Sequence, residues 1–154
     1  MASAFAPLIY TFQAAFAGYN LYTNSAVAIT NLLQYEEKAK KAAKYSNTAD
    51  KQLWDTRKTQ ASATITVLST LLSSAYLLLL RTTTTTKLAV AAVNVAALIA
   101  ARKHVGDFWA GKAKVPVPGV GSYNEAISKT QEVRLNMLYL IGSWTLCGLL
   151  GLLT

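Results

Sequence analysis

The charged residues of this chain are confined to short blocks, and four long segments between these blocks carry no charge. The uncharged segments are residues 1–35, 59–80, 88–101 and 135–154, so they are 14 to 35 residues long. About 20 consecutive apolar residues cross a bilayer as an α-helix. Only 14% of all residues are charged, against about a quarter in soluble domains. The pattern predicts an all-α, polytopic membrane protein, and it excludes a disordered chain, a disulfide-rich domain and most soluble enzymes.

We expect one integral membrane domain, residues 1–154, with spans at about 7–33, 59–80, 88–105 and 135–153. The third segment is short, but Lys87, Arg102 and Lys103 can extend toward the headgroups and lengthen it. The threonines at 82–86 should form a polar turn, because β-branched residues are poor helix formers. The spans should continue as helices beyond the membrane. The expected fold is a four-helix transmembrane bundle with helical extensions on the side of the basic loops.

The positive charges predict how the bundle is oriented. Residues 35–58 contain seven Lys and Arg, residues 102–134 contain six, and the threonine connector is flanked by two. Because short loops rich in Lys and Arg stay on the cytoplasmic side, both long loops should lie there, with both termini opposite. The first basic residue is Lys38, so no basic segment precedes the first span. We expect the endoplasmic reticulum or another organelle membrane rather than the plasma membrane.

The net charge of +8 raises the question of a nucleic-acid partner. The basic residues flank apolar spans, so anionic lipid headgroups are the expected partners of these charges, and nucleic acid is not.

Four amide side chains recur along the first span. Gln13, Asn20, Asn24 and Asn31 are spaced 7, 4 and 7 residues apart, with Tyr19 beside them. This spacing places the amides on one stripe of an α-helix. The stripe should avoid lipid, where unpaired polar groups are costly. It either forms interhelical hydrogen bonds, each worth about 0.6–2 kcal/mol, or lines a pocket for a substrate, lipid or cofactor.

Small residues also recur at three- and four-residue spacings, which allow helix backbones to approach closely. We therefore expect a tightly packed bundle rather than a water-filled pore. The stripes comprise Ser62, Thr66, Ser69, Thr70 and Ser73 in the second span, Ala89, Ala92, Ala96 and Ala100 in the third, and Ser143, Cys147 and Gly151 in the fourth.

The sequence offers little catalytic chemistry. One His and one Cys are too few for the usual haem, iron–sulfur or zinc sites, so we predict no metal and no cofactor. His104 and Asp107 are weak candidates for a general base and its orienting acid, and a solvated His at the level of the headgroups, beside Arg102 and Lys103, is the favoured interpretation. Arg57 and Arg134 could bind an acidic headgroup or substrate, or they could serve only as topological anchors.

The leading functional hypothesis is a non-catalytic accessory, scaffold or assembly subunit of a membrane complex. Its partners would be membrane lipids and either other membrane subunits or further copies of itself. A small membrane enzyme acting on a lipophilic substrate is the alternative, with the amides and tyrosines of the first span as its site. An oligomeric transporter or channel protomer is the second alternative.

Overall fold

The structure, a computed structural model, describes residues 2–42, 47–110 and 121–152, without the side chains of residues 2–4, 24, 35, 38–42, 47–53 and 123. The described residues are helical except at 80–83 and at 110, which confirms the all-α prediction. The helices are α1 (Ala2–Tyr19), a π turn (Asn20–Ser25), α2 (Ala26–Ala42), α3 (Asn47–Leu79), α4 (Thr84–Trp109) and α5 (Gly121–Leu152).

Three helical segments in the described part of the chain are long and apolar enough to cross a membrane. They are Trp54–Leu79, Thr84–Trp109 and Asn124–Leu152, and they indicate a small membrane protein. The predicted span at 7–33 is not among them, so the four-span bundle is not confirmed. The π turn divides this first helix into α-helical halves of 18 and 17 residues, and the second half ends in charged residues.

The prediction that residues 82–86 form a polar turn is wrong for Thr84, Thr85 and Thr86, which are helical. Thr83 is the N-cap of α4, and its Oγ1 accepts a hydrogen bond from the backbone N–H of Thr86 at 3.2 Å. This cap outweighs the low helix propensity of threonine, because it satisfies an N–H that has no partner within the helix. The helix therefore begins at Thr84, and α4 is 26 residues long rather than the short span predicted at 88–105.

Helices α4 and α5 run antiparallel and pack closely through glycines of α5. A Cβ on Gly148 would lie 3.8 Å from the Cβ of Ala91, and one on Gly151 would lie 3.4 Å from Leu88. These contacts confirm the close approach predicted from the small residues of the fourth span. Elsewhere in the bundle, α1 packs on α3, α3 on α4, and α2 on α5.

The alanine stripe of α4 faces outward, so the prediction that it packs inside the bundle is wrong. Its four members, Ala89, Ala92, Ala96 and Ala100, are all exposed. The buried face of α4 instead comprises Ala91, Asn94, Leu98, Ala101, Val105 and Trp109. Both faces of this helix are apolar, so hydrophobic periodicity does not distinguish them in a membrane helix.

The π turn shifts the buried stripe of the first helix by one residue. An uninterrupted α-helix would carry the stripe of Gln13 and Asn20 on to positions 24, 27 and 31. A π turn holds an extra residue, and the interior positions beyond it are 25, 28, 32 and 36 instead. The buried residues are Tyr10, Gln13, Ala17 and Asn20 before the turn, and Ser25, Ala28, Leu32 and Glu36 after it.

Candidate functional site

The interior of the bundle contains a polar seam, which we define as Gln13, Asn20, Ser74, Asn136 and Ser143. Gln13 is 0% exposed. Its Nε2 donates a hydrogen bond to Ser143 Oγ at 3.1 Å, and its Oε1 accepts one from Ser74 Oγ at 3.3 Å. One amide thus joins α1 to both α3 and α5.

Asn20, at the start of the π turn, forms the second junction of the polar seam. Its Oδ1 accepts a hydrogen bond from Asn136 Nδ2 of α5 at 2.6 Å. Its own Nδ2 donates to the backbone carbonyl of Phe16 at 2.7 Å. Asn20 is fully buried, in a region that water cannot freely enter. Protein groups satisfy both of its polar atoms there.

A separate amide junction holds α3 to α4. Asn94 is 2% exposed, and its Nδ2 donates to Ser73 Oγ and to the carbonyl of Val90, each at 2.9 Å. Its Oδ1 lies 3.4 Å from the Thr70 hydroxyl. Asn94 was not among the residues predicted from the sequence, although a single amide in an otherwise apolar 14-residue segment is a usable signal for such a junction.

The other predicted members of the amide stripe are not brought into the seam. The Asn24 side chain lies outside the described residues. Asn31 is partly exposed and makes no hydrogen bond within the described part of the chain, and Tyr19 is exposed. The π turn explains this outcome for Asn31, because it rotates position 31 off the buried face. Whether Gln13, Asn20 or the others bind a ligand stays a prediction.

A small cavity with a few polar groups in its lining lies at the end of the π turn, where α2, α3 and α5 meet. Its volume is about 10 Å³, which is the space that one water molecule needs. Ser25, Gln60 and Thr130 contribute polar groups to its lining. The Ser25 hydroxyl is buried and has no hydrogen-bond partner among the described residues, while Gln60 Nε2 donates to the carbonyl of Ala28 at 3.1 Å. Sequence reasoning missed Gln60.

Arg57 forms an ion pair with Glu36, which joins α2 to α3. The Glu36 side chain is 11% exposed and the Arg57 side chain 39%. The guanidinium therefore neutralises an acid of its own chain, and it holds the extension of the first helix against α3. This contact accounts for Arg57 without a headgroup or substrate, whose binding there remains an untested prediction.

Arg134 has a different environment. Its guanidinium lies against Gly106 of α4, where a Cβ would come within 2.7 Å of Nη2. Its Nη1 donates to Gln131 Oε1 at 3.3 Å. Within the described part of the chain no carboxylate pairs with Arg134, so its predicted role in binding an acidic group remains open.

The catalytic candidates do not form a dyad. Asp107 Oδ2 accepts a hydrogen bond from Lys103 Nζ at 2.5 Å, and both side chains are largely exposed. His104 is exposed and makes no hydrogen bond to Asp107 in the described residues. The partner of Asp107 is Lys103, one helical turn away, and this i,i+4 spacing is typical of an ion pair on the surface of a helix.

The polar seam and the Asn94 junction consist of paired polar groups between helices. Among the described residues, no group of three or more His, Cys, Asp or Glu side chains could hold a metal ion. Comparison with known proteins finds no family model, no curated protein and no solved structure that matches the chain.

Proposed function

We propose that the protein is a four-span integral membrane protein that acts as a non-catalytic accessory, scaffold or assembly subunit of a membrane complex. The fourth span in this proposal is the first helix, α1 with the π turn and the start of α2. Its basic loops lie on the cytoplasmic side and both termini on the opposite side, in the endoplasmic reticulum or another organelle membrane.

Contacts along its length support a transmembrane position for the first helix. Gln13 contacts Ser74 and Ser143, and Asn20 contacts Asn136. All three partners lie within the apolar segments Trp54–Leu79 and Asn124–Leu152. A helix that packs along two membrane-spanning helices in this way shares their depth in the bilayer. Its outer face carries large apolar residues, including Leu8 and Phe12, which suit contact with lipid.

The observation that carries the non-catalytic proposal is the pairing of the buried amides with polar side chains of neighbouring helices. The amides of Gln13, Asn20 and Asn94 bond to side chains of neighbouring helices. A substrate pocket keeps polar groups free to orient a ligand, whereas these groups hold helices together. The small cavity at Ser25 has room for a water molecule and not for a lipophilic substrate.

The outward face of α4 favours a protein partner within the membrane. Most exposed residues of α3 in its apolar part are large, such as Leu68, Leu72 and Tyr76. The exposed face of α4 also carries Val93 and Ile99, but four alanines, Ala89, Ala92, Ala96 and Ala100, lie exposed beside them. Small side chains let another helix approach closely, and van der Waals packing then drives association in lipid. We therefore assign this face to a transmembrane helix of another subunit.

Native mass spectrometry on the intact particle, extracted from its own membrane in mild detergent, tests the accessory role. We expect a second protein at fixed stoichiometry, and we expect Ala96→Leu to release it without loss of helical content. Thr145→Leu, at an exposed position of α5, is the matched control and should retain the partner. A homo-oligomer with a stoichiometric small molecule other than a phospholipid would contradict the accessory role and favour the membrane enzyme or transporter.

Cysteine labelling of intact vesicles tests the four-span topology. In a Cys147→Ser background, Phe5→Cys and Thr85→Cys should react with a membrane-impermeant maleimide from one side, and Glu37→Cys and Asp107→Cys from the other. All four positions are exposed. Labelling of positions 5 and 37 from the same side would remove the four-span topology, because the first helix would then not cross the membrane.

A further inference from the structure

A cavity of about 350 Å³ opens between the start of α1, the end of α3 and the start of α4. It lies at the opposite end of the bundle from the two basic loops. Its volume falls within the range of small-molecule sites, which begins at about 300 Å³. The lining residues are Ala6, Pro7, Tyr10, Leu77, Leu78, Leu80, Arg81, Thr82 and Lys87.

Two cations line this cavity, and the sequence supplies no acid near them. Arg81 and Lys87 lie between Asp55 and Asp107, with no Asp or Glu in between. At 1.5 Å per residue, these acids lie about 39 Å and about 30 Å away along α3 and α4. The segments that share this end of the bundle, within residues 1–35 and 135–154, contain no charged side chain. The positive charge of the cavity is therefore uncompensated by side chains of this chain.

The remaining lining of the cavity is divided between a hydroxyl donor and apolar groups. Thr82 Oγ1 is buried and has no hydrogen-bond partner among the described residues. Such a group costs free energy unless it finds a partner. Leu77 and Leu80 form an apolar wall beside it. The site thus combines two cations, one unpartnered hydroxyl and an apolar surface.

We propose that this cavity binds the phosphate group of an anionic lipid, with the first part of an acyl chain against Leu77 and Leu80. Arg81 and Lys87 contact the phosphate oxygens, and the Thr82 hydroxyl donates to one of them. Two cations and a hydroxyl match the several oxygens of a phosphate, to which charge-assisted hydrogen bonds are strong. This proposal rests on α3 and α4 crossing the membrane and is independent of the accessory role.

The test is lipid retention by the purified full chain, measured by native mass spectrometry during titration in detergent. The probes are phosphatidylglycerol and phosphatidylcholine with identical acyl chains, and inorganic phosphate. We expect phosphatidylglycerol to bind more tightly than phosphatidylcholine. At about fivefold per cation, the double variant Arg81→Gln/Lys87→Gln should weaken phosphatidylglycerol binding about 25-fold.

Matched variants distinguish binding of the lipid in this cavity from its general attraction to positive charge. Arg102→Gln/Lys103→Gln removes the same charge at the other end of α4 and should change the affinity less than about threefold. Ala6→Phe keeps both cations but fills the cavity, and it should also abolish selective retention. Circular dichroism melting of each variant verifies that it folds.

Each result has a defined meaning for the proposal. Equal affinity of the wild type and the Arg81→Gln/Lys87→Gln variant for phosphatidylglycerol would overturn it, as would undiminished binding by a folded Ala6→Phe variant. Displacement of phosphatidylglycerol by millimolar inorganic phosphate would support the phosphate site but overturn a lipid as its source.

Discussion

The hydrogen bond between Asn20 and Asn136 gives the sharpest test of whether the polar seam is structural. Asn20→Leu removes the acceptor and leaves the Asn136 Nδ2 group without its described partner. An interhelical hydrogen bond in a membrane contributes about 0.6–1.7 kcal/mol, and a buried group left unpaired costs about 1–3 kcal/mol. Because these two terms overlap, we expect Asn20→Leu to lower the free energy of unfolding by about 2 kcal/mol.

The reverse substitution should cost a similar amount. Asn136→Leu removes the described donor to Oδ1 of the fully buried Asn20, and the hydrogen bond from Asn20 Nδ2 to the Phe16 carbonyl does not replace it. We therefore expect a loss of about 2 kcal/mol. The double variant removes both amides and leaves neither one unpaired. Its loss should be smaller than the sum of the two single losses by about 1 kcal/mol or more.

Reversible unfolding in mixed micelles, followed by circular dichroism, measures this double-mutant cycle. Asn31→Leu is the matched control, because Asn31 is partly exposed and makes no hydrogen bond in the described part of the chain. It should change stability by less than about 0.5 kcal/mol. If Asn20→Leu were as stable as the wild type but lost a bound ligand or an activity, the structural interpretation of the seam would be refuted.

The remaining predictions concern packing, charge and the small cavity. Gly148→Leu should lower stability by about 1–3 kcal/mol, because a Cβ there would already lie 3.8 Å from the Cβ of Ala91 and the longer side chain would have to displace α4. Gly142→Leu, at a glycine that faces open space, should be tolerated in the same unfolding assay. Glu36→Gln should lower stability by about 1–2 kcal/mol by breaking the ion pair with Arg57, and a larger loss in Glu36→Gln/Arg57→Gln than in either single variant would contradict this account. Ser25→Ala should leave the unfolding free energy unchanged or raise it by up to about 1 kcal/mol, because it removes a buried hydroxyl without a partner; a clear loss of stability would show that the hydroxyl is bonded.

Charge patterning predicts the helical class of this protein because each charged block marks a place where the chain leaves the apolar layer. The same reasoning does not give the start of α4. Thr83 caps the helix through one side-chain hydrogen bond, and in a run of identical threonines the sequence does not show which residue makes it. The low helix propensity of threonine predicted a turn at residues 82–86, whereas in the structure Thr83 caps a helix that begins at Thr84.

The candidate site is predictable only up to the π turn. Gln13 and Asn20 follow the period of an α-helix and were correctly placed on one inward face. Asn31 has the spacing that an uninterrupted α-helix would need to place it on that face. The extra residue of the π turn makes Leu32 the buried position instead. A π turn has no compositional signature comparable to proline in a kink, so one sequence does not reveal this change of phase.

The interior amides Asn94 and Gln60 were missed for a related reason. Each lies in a segment that was interpreted by its small or apolar residues, and a single amide changes that pattern little. The amide nevertheless contributes most to the choice of helix contacts, because hydrocarbon offers it no alternative hydrogen-bond partner. In a membrane helix, therefore, an isolated polar side chain is more informative about contacts than the apolar residues around it.

The π turn also has a mechanical consequence for the first helix. A wide turn lacks the regular spacing of hydrogen bonds that makes an α-helix a stiff rod, and here it falls between two lateral attachments. On one side Asn20 is tied to α5, and on the other the Ala28 carbonyl is tied to Gln60 of α3. We therefore expect the neighbouring helices to carry a force applied to the far end of α2 across the turn. The resistance of the first helix to bending then depends on its contacts with the bundle more than on its own backbone hydrogen bonds.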